Sequence, residues 1–400
     1  SVLDGMAKVP DLVAKAMEQG MYSLALTDHG NMYGVKDFCD TVAGVNGKTN
    51  DKIKEQEAVL KSEEASEDDK KAAQAKIDEL KAKIFKPIIG IEAYCAHRTL
   101  YDKDKDYREM SAETGKMKIV DAGGYHLILL AKDKTGYKNL CKLTSISFID
   151  GFYSHPRIDK NVLEKYHEGL IVCSACLGGE LPQHILANNI EKAEETIRWF
   201  KNLFGEDYYI ELQRHKTDKL RAATDTFEKQ QRVNEVLVQL ARKYDVKIIA
   251  TNDVHFVAET DAEAHERLIC LNTNAKVNDP TRNMSYNKQE WLKSPEEMAD
   301  IFCDLPEAIE STKEIVDKVS VYSIDSGHIM PMFPIPADFG TDEEYRQKFT
   351  EEQLFEEFTR NENGEVVLSE GEAKKKIEKL GGIDKLYRIK LEADYLAKRT

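Results

Sequence analysis

Six short apolar runs, most of them separated by segments of helical periodicity, constrain this chain more than any other feature. They fall at 22–26, 86–94, 125–131, 169–174, 207–212 and 246–251. The runs are nearly continuous in Ile, Leu and Val rather than alternating, which is the pattern of strands covered on both faces. Helix-spaced apolar positions stand between them, at Val9, Leu12, Val13 and Ala16, at Val35, Phe38 and Cys39, and across 137–146, 190–203 and 226–244. Strand and helix in regular succession predict an α/β fold built on a parallel sheet.

The ends of these runs carry unusual chemistry. The first stops at Leu26-Thr27-Asp28-His29-Gly30-Asn31, the second carries Glu92 near its end, and the last leads into Asn252-Asp253-Val254-His255. Cys176 stands just beyond the fourth. In a parallel barrel the C-terminal strand ends converge on one mouth, where catalytic residues gather. Imidazole, carboxylate and a thiolate together suit zinc, manganese or iron rather than calcium, and their number suggests more than one ion. Such ions can activate water and hold both oxygens of a phosphodiester displacement. The spacing Asp253-x-His255 would put both side chains on one face if the strand continued through them.

Each position also has a plainer reading. His29 could cap the following helix, and Glu92 could sit in a buried salt bridge, since an unpaired carboxylate there is costly. His126 stands at the start of its run rather than the end and reads as a core histidine. Cys173-x-x-Cys176 could be a redox pair, but Gly178-Gly179 follows and no aromatic-rich approach precedes it, so Cys173 reads as core. Arg157, after the aromatic turn Gly151-Phe152-Tyr153, could meet a phosphate at the rim. His97, His155, His167, His184, His215, His265 and His328 have no comparable setting and read as structural or surface residues.

Two regions depart from the rhythm. From 46 to 86 almost everything is Lys, Glu, Asp, Gln or Ala, with Ser66-Glu67-Asp68-Asp69 placed to cap a second helix. This predicts an inserted helical hairpin, either a solvated insertion or a partner-docking arm. After 275 the alternation ends. Pro331, Pro334 and Pro336 mark an extended crossing segment, and 341–400 is highly charged and helical in pattern, interrupted at Gly381-Gly382. Opening on Ser1 and ending inside a helical pattern, the chain is expected to be part of a longer protein.

The net charge of −15 argues against this region being the main clamp on duplex DNA, which would be basic. Seven cysteines, odd in number and mostly isolated, point to a reducing cytoplasm rather than a disulfide framework. No apolar run is long enough to span a membrane.

Taken together, Ser1-Val2-Leu3-Asp4-Gly5, Leu26-Thr27-Asp28-His29-Gly30-Asn31, Pro87-Ile88-Ile89-Gly90-Ile91-Glu92 and Ala250-Thr251-Asn252-Asp253-Val254-His255-Phe256 resemble the PHP (polymerase and histidinol phosphatase) domain. They are most similar to the form that opens the alpha subunits of C-family bacterial replicative DNA polymerases. Tyr137-Lys138-Asn139-Leu140, Gly169-Leu170-Ile171-Val172, Ser294-Pro295-Glu296-Glu297-Met298 and Leu305-Pro306-Glu307-Ala308 fit the same family. The resemblance covers nearly the whole chain apart from 46–86. It implies a distorted (β/α)7 TIM-like barrel with the helical hairpin inserted. The division would be a barrel domain at 1–275, a connecting region at 276–340, and at 341–400 a mostly helical lead-in to the polymerase palm. It also implies a further strand carrying His-x-His upstream of Ser1, so the chain would be truncated at both ends.

By position, Asp4, His29, Glu92, His126, Cys176, Asp253 and His255 match the family's metal ligands; for Asp4 and His126 the resemblance alone says so. Asp28 then becomes a neighbour that orients His29 or caps the next helix. The implied cofactors are two or three divalent ions, zinc or manganese. The implied activity is metal-dependent phosphoester hydrolysis, a 3′–5′ exonuclease with Asp253, His255 and Glu92 as catalytic residues, within a DNA-directed DNA polymerase whose own active-site motifs are absent from this chain. The alternative is a non-catalytic, metal-stabilised platform that braces the polymerase and docks a separate proofreading exonuclease subunit. A free-standing small-molecule phosphatase is the third reading. Expected partners are DNA, the proofreading subunit and other replicase subunits, with no membrane.

Overall fold

The computed structural model describes residues 4–62, 65–111, 115–223, 225–279, 286–325, 335–336, 338–361 and 363–399. Ser1, Val2, Leu3, His328, Pro331 and Pro334 therefore lie outside the described residues. The chain divides into two units after Asp325.

In the first unit the elements run α1 (Val9–Glu18), β1 (Ser23–His29), α2 (Val35–Lys61), α3 (Glu67–Lys81), β2 (Lys86–Cys95), β3 (Arg108–Met110), β4 (Met117–Ile119) and β5 (Tyr125–Ala131). They continue with α4 (Lys134–Ile149), β6 (Arg157–Ile158), α5 (Lys160–Lys165), β7 (Leu170–Cys173), α6 (Glu180–Leu186), α7 (Ile190–Phe204), β8 (Tyr208–Leu212), α8 (Asp225–Tyr244) and β9 (Lys247–Ala250). Last come α9 (Ala262–Asn272), α10 (Pro295–Ile301) and α11 (Pro306–Lys318). All six expected strands form. β3, β4 and β6 are additions too short for a periodicity signal.

The main sheet has seven strands in the order β1-β2-β5-β7-β8-β9, with β6 paired to β2. It is not wholly parallel. β5 runs antiparallel to both β2 and β7, whereas β1–β2, β7–β8 and β8–β9 are parallel. The link from β2 to β5 contains the β3–β4 hairpin instead of a crossover helix, so the chain returns in the opposite sense. The consequence reaches the site directly: Tyr94, near the end of β2, pairs with His126, at the start of β5. A histidine that the sequence places at the wrong end of its strand thus lies at the same rim as the C-terminal ends of its neighbours.

Strand parity separates two faces. Ile88, Leu130, Ile171, Cys173, Tyr209 and Ile249 point inward and pack with Ile315 of α11 and with Val319 just after it. Ile89, Ile91, Leu127, Leu129 and Val172 point outward beneath the surrounding helices. Both faces are buried, which is why the strands read as continuous apolar runs. The sheet curls, and α11 reaches from one edge to the second strand from the other: it packs on β9, while Lys86 of β2 donates to the carbonyls of Val316 (2.7 Å) and Val319 (2.8 Å). Within the 276–340 segment expected to connect barrel and palm, α11 thus packs on the sheet itself. Gly90 is needed where β1, β2 and β5 meet. A Cβ there would lie 2.7 Å from the carbonyl oxygen of Leu129 and 2.8 Å from the methyl of Thr27.

The insertion is a helical hairpin, but its first arm is continuous with the helix after β1, as one helix of 27 residues. Asn46 pins its base through two hydrogen bonds to the backbone of Phe85, and Ile53, Ile77 and Leu80 form its seam. The expected cap is present, with Ser66 and Asp69 forming a reciprocal capping box at α3.

The second unit is helical: α12 (Asp342–Lys348), α13 (Glu351–Thr359), α14 (Glu370–Leu380) and α15 (Asp384–Arg399). They pack on Tyr345, Leu354, Ile377, Leu386, Tyr387 and Leu391. α14 ends at Gly381, in the left-handed conformation that glycine adopts freely. No described helix is long and apolar enough to cross a membrane.

Candidate metal centre

Inward parity places Glu92 on the face of Ile88 and Gly90, and His126 on the face of Ile128 and Leu130. Antiparallel pairing then brings these two side chains together at the rim. Glu92 Oε1 lies 2.7 Å from His126 Nδ1, and Cys176 Sγ lies 3.4 Å from the same nitrogen. Cys176 reaches this point because residues 176–179 fold over the His126 ring, whose backbone N–H donates to Gly178 O. Gly178 allows the approach, since a Cβ there would sit 3.0 Å from the ring.

A second group forms beside the first. His29, the last residue of β1, presents Nε2 to Asp4 Oδ2 at 3.5 Å and to Glu92 Oε2 at 3.4 Å. His255 Nε2 lies 3.6 Å from the same Asp4 oxygen. Within each trio, Asp4–His29–His255 and Glu92–His126–Cys176, one ligand-capable atom from every residue lies within 4.8 Å of the others. Asp253 belongs to neither trio but borders the first, with Oδ1 3.7 Å from His255 Nδ1.

The strand-alternation reading of Asp253 and His255 does not hold. β9 ends at Ala250, and Asp253 has a φ of 48°. Asp tolerates this left-handed region better than most residues. The turn, not a pleat, brings both residues to one place. His255 Nδ1 donates to the carbonyl of Asp253 at 2.7 Å, which leaves Nε2 facing the trio.

The electrostatics match a cation site. Among the described residues, the ion-pair partners of Asp4, Glu92 and Asp253 are all histidines, with no Lys or Arg. Burial works against Glu92 ionising, yet the His126 hydrogen bond and the charges of His126, His29 and His255 bring its pKa below the usual carboxylate value. Burial disfavours a charged His126, but Cys176 and Glu92 beside it raise its pKa well above normal. His255 is raised to about 10 by Asp253 and Asp4 despite burial. Burial pushes the Cys176 thiol up to about 11 and also raises Asp253. The carboxylates of Asp4 and Glu92 thus favour their charged form and the imidazoles of His126 and His255 hold protons tightly, the mutual attraction of donors that would share a cation. The donor set of imidazole, carboxylate and one thiol fits zinc or manganese.

Some sequence candidates fall elsewhere. Asp28 accepts a hydrogen bond at 2.9 Å from the N–H of Gly34, the residue just before α2, without capping the helix itself; the contact of His29 Nδ1 is Tyr94 OH, at 3.3 Å. Arg157 is not at the rim. It is fully buried, and its guanidinium donates to the carbonyls of Gly151, Asp121, Leu100 and Asp102, leaving it unable to reach a phosphate. Cys173 is core. The remaining described histidines are in neither trio.

Sequence reasoning misses three neighbours. Tyr94 touches the rings of His29 and His126 and stacks on His155 at 4.6 Å between centroids. Glu211, inside the barrel, accepts from Thr251, and burial raises its pKa to about 7. Tyr286 lies against Asp4 and His255. The parity of Glu211 along β8 was a signal that could have found it; no periodicity marks Tyr286.

Asp4, His29, Glu92, Glu211, Asp253 and His255, with the apolar wall beneath them, line a cavity of about 460 Å³. Residues 1–215 match the PHP domain model. The chain is 42% identical over 355 residues to the DNA polymerase III subunit alpha of Borreliella burgdorferi, covering 88% of this chain and 26% of that protein. It is 35% identical to the subunit of the same name from Campylobacter jejuni, over 86% of this chain and 24% of that protein. For the subunit from Thermus aquaticus the identity is 34%, over 88% of this chain and 24% of that protein. The chain thus spans about a quarter of the length of these relatives. A curled α/β sheet with a histidine–carboxylate rim, matched by the family model over more than half its residues, shows that this chain belongs to the PHP domain family.

Proposed function

We propose that the chain is the PHP region of a bacterial replicative DNA polymerase alpha subunit, and that its rim is a metal-dependent phosphodiesterase acting on the 3′ end of a DNA strand. The observation that carries this is the convergence of Asp4, His29 and His255 beside Glu92, His126 and Cys176, with the Glu92 carboxylate facing both groups. Bound divalent ions would supply Lewis acidity to a phosphoryl oxygen and make water a competent nucleophile at neutral pH.

The chain's own residues prepare for that role. The Asp253 carbonyl fixes His255 with Nδ1 protonated and Nε2 toward the trio. Tyr94 OH faces His29 Nδ1, leaving Nε2 toward Asp4 and Glu92. Leu24, Leu26, Ile249 and Ile315 line the pocket below, so few waters compete with the substrate from beneath. The net charge of −15 makes this region a poor grip on DNA by itself, so the strand would be delivered by the rest of the polymerase.

The test is metal content and release of the 3′ nucleotide from a labelled single strand by the full-length protein, with and without Asp253→Asn. The expected result is bound zinc or manganese and hydrolysis that the substitution abolishes. Hydrolysis that survives it would refute the assignment. Metal binding without hydrolysis in the wild-type protein would favour a metal-stabilised platform for a separate proofreading subunit.

A further inference from the structure

We infer that Tyr286 is a positioning residue for the metal centre: its hydroxyl holds one oxygen of Asp4 so that the other faces His29 and His255. This rests on the reading of the rim as a metal site. Tyr286 OH donates to Asp4 Oδ1 at 2.6 Å, while Asp4 Oδ2 is the oxygen that approaches both histidines. A carboxylate only accepts, so the single phenolic hydrogen is committed to Asp4. The same oxygen lies 3.1 Å from His255 Nε2, and the two rings are 4.7 Å apart. One hydroxyl thus binds Asp4 and lies against His255, two members of a trio that come from opposite ends of the barrel sequence.

The hydroxyl can do this because its surroundings are fixed. Residues 286–293 form a strap across the barrel mouth. Asn252 Nδ2 donates to the carbonyls of Gln289 and Trp291, and His255 N donates to Glu290 O. Glu290 accepts from the backbone of Asn287 and Gln289, and Asn287 donates to His215 O. Lys288 is buried against Glu266 at 3.0 Å. Asp4 is pinned from the other side. His265 Nε2 donates to its carbonyl at 2.7 Å, and Met6 and Ala7 donate to His255 O. With the Asp4 carbonyl held by His265 and the residues after it held by the His255 carbonyl, Tyr286 restrains the remaining rotation of the Asp4 carboxylate. Partners that hydrogen-bond a ligand in this way commonly change metal affinity by about 10–100-fold when removed.

The experiment compares zinc affinity and the visible spectrum after cobalt substitution in the full-length wild-type protein, Tyr286→Phe, Asp4→Asn and the double variant, with His29→Ala defining the background from other sites. Phe keeps the ring packed on His255 and removes only the hydroxyl. The expected result is zinc binding about 10–100-fold weaker in Tyr286→Phe, an altered cobalt spectrum, and a double variant no weaker than Asp4→Asn alone. Zinc affinity unchanged by Tyr286→Phe, or losses that add in the double variant, would overturn the inference while leaving the metal site standing. A phenolate charge-transfer band in the ferric-loaded protein, absent from Tyr286→Phe, would make Tyr286 a ligand and overturn it as well. No His29-dependent metal in the wild-type protein would instead refute the metal-site reading.

Discussion

Arg157 offers a sharp check on its reading as a buried structural clamp rather than a substrate contact. Replacing it with Met keeps an apolar stem but leaves four carbonyls, of Gly151, Asp121, Leu100 and Asp102, without their donor. At about 1 kcal/mol for each of the three buried acceptors left unpaired, and less for the part-buried Asp102 carbonyl, the loss is about 3–4 kcal/mol. Burial already disfavours the guanidinium charge, lowering its pKa, so removing the cation offsets part of this. The net expectation is about 3 kcal/mol, roughly a hundredfold in the folded-to-unfolded ratio. Arg157→Lys should cost about 2 kcal/mol, because one ammonium cannot reach carbonyls spread around a planar fork. Urea unfolding followed by tryptophan fluorescence reads this cleanly, since Trp199 and Trp291 both belong to the first unit. If Arg157→Met shifts stability by less than about 1 kcal/mol yet lowers phosphodiester turnover, then Arg157 serves the substrate and the clamp is wrong.

Three further outcomes follow from the geometry. Without metal, His255 is raised from 6.5 to about 10 and Glu211 from 4.5 to about 7. Both bind their protons more tightly folded than unfolded, so their contribution is full below the unfolded values and is lost as pH rises through the folded ones. The melting temperature in chelator should therefore fall from about pH 5 to about pH 10, and added zinc should flatten the decline; a metal-free protein that gains stability over that range would contradict the site's electrostatics. Gly90→Ala should destabilise the first unit by about 2 kcal/mol in denaturant melts, because the contact with Leu129 O is backbone and cannot swing aside. Ser66→Ala should cost about 1 kcal/mol locally, visible as faster amide exchange in the first turn of α3 with the barrel unaffected.

Much of the fold was legible in residue order because the strands are buried on both faces and the helices on one. Those burial patterns are local, so periodicity located all six long strands and the Ser66 cap. His29, Glu92, Cys176, Asp253 and His255 were legible for a related reason. Strand ends with metal-capable side chains in apolar surroundings are costly unless something pairs with them. Strand direction was not legible, and it matters most for His126. A strand has the same period whichever way it runs, so only the pairing of Tyr94 with His126 shows that this residue meets Glu92. Arg157 was misread because local sequence says nothing about which distant carbonyls will surround a guanidinium.

What the amino-acid order determined alone is the alternation of buried strands and amphipathic helices, the charged hairpin, and a set of metal-capable side chains too polar for the runs that carry them. Tertiary structure decided which of them meet. It reversed one strand, bent the chain after β9 so that Asp253 and His255 converge, and laid the strap that brings Tyr286 onto Asp4 across 282 residues of sequence. Contacts of that range depend on how the whole sheet curls and closes, and no local pattern encodes them.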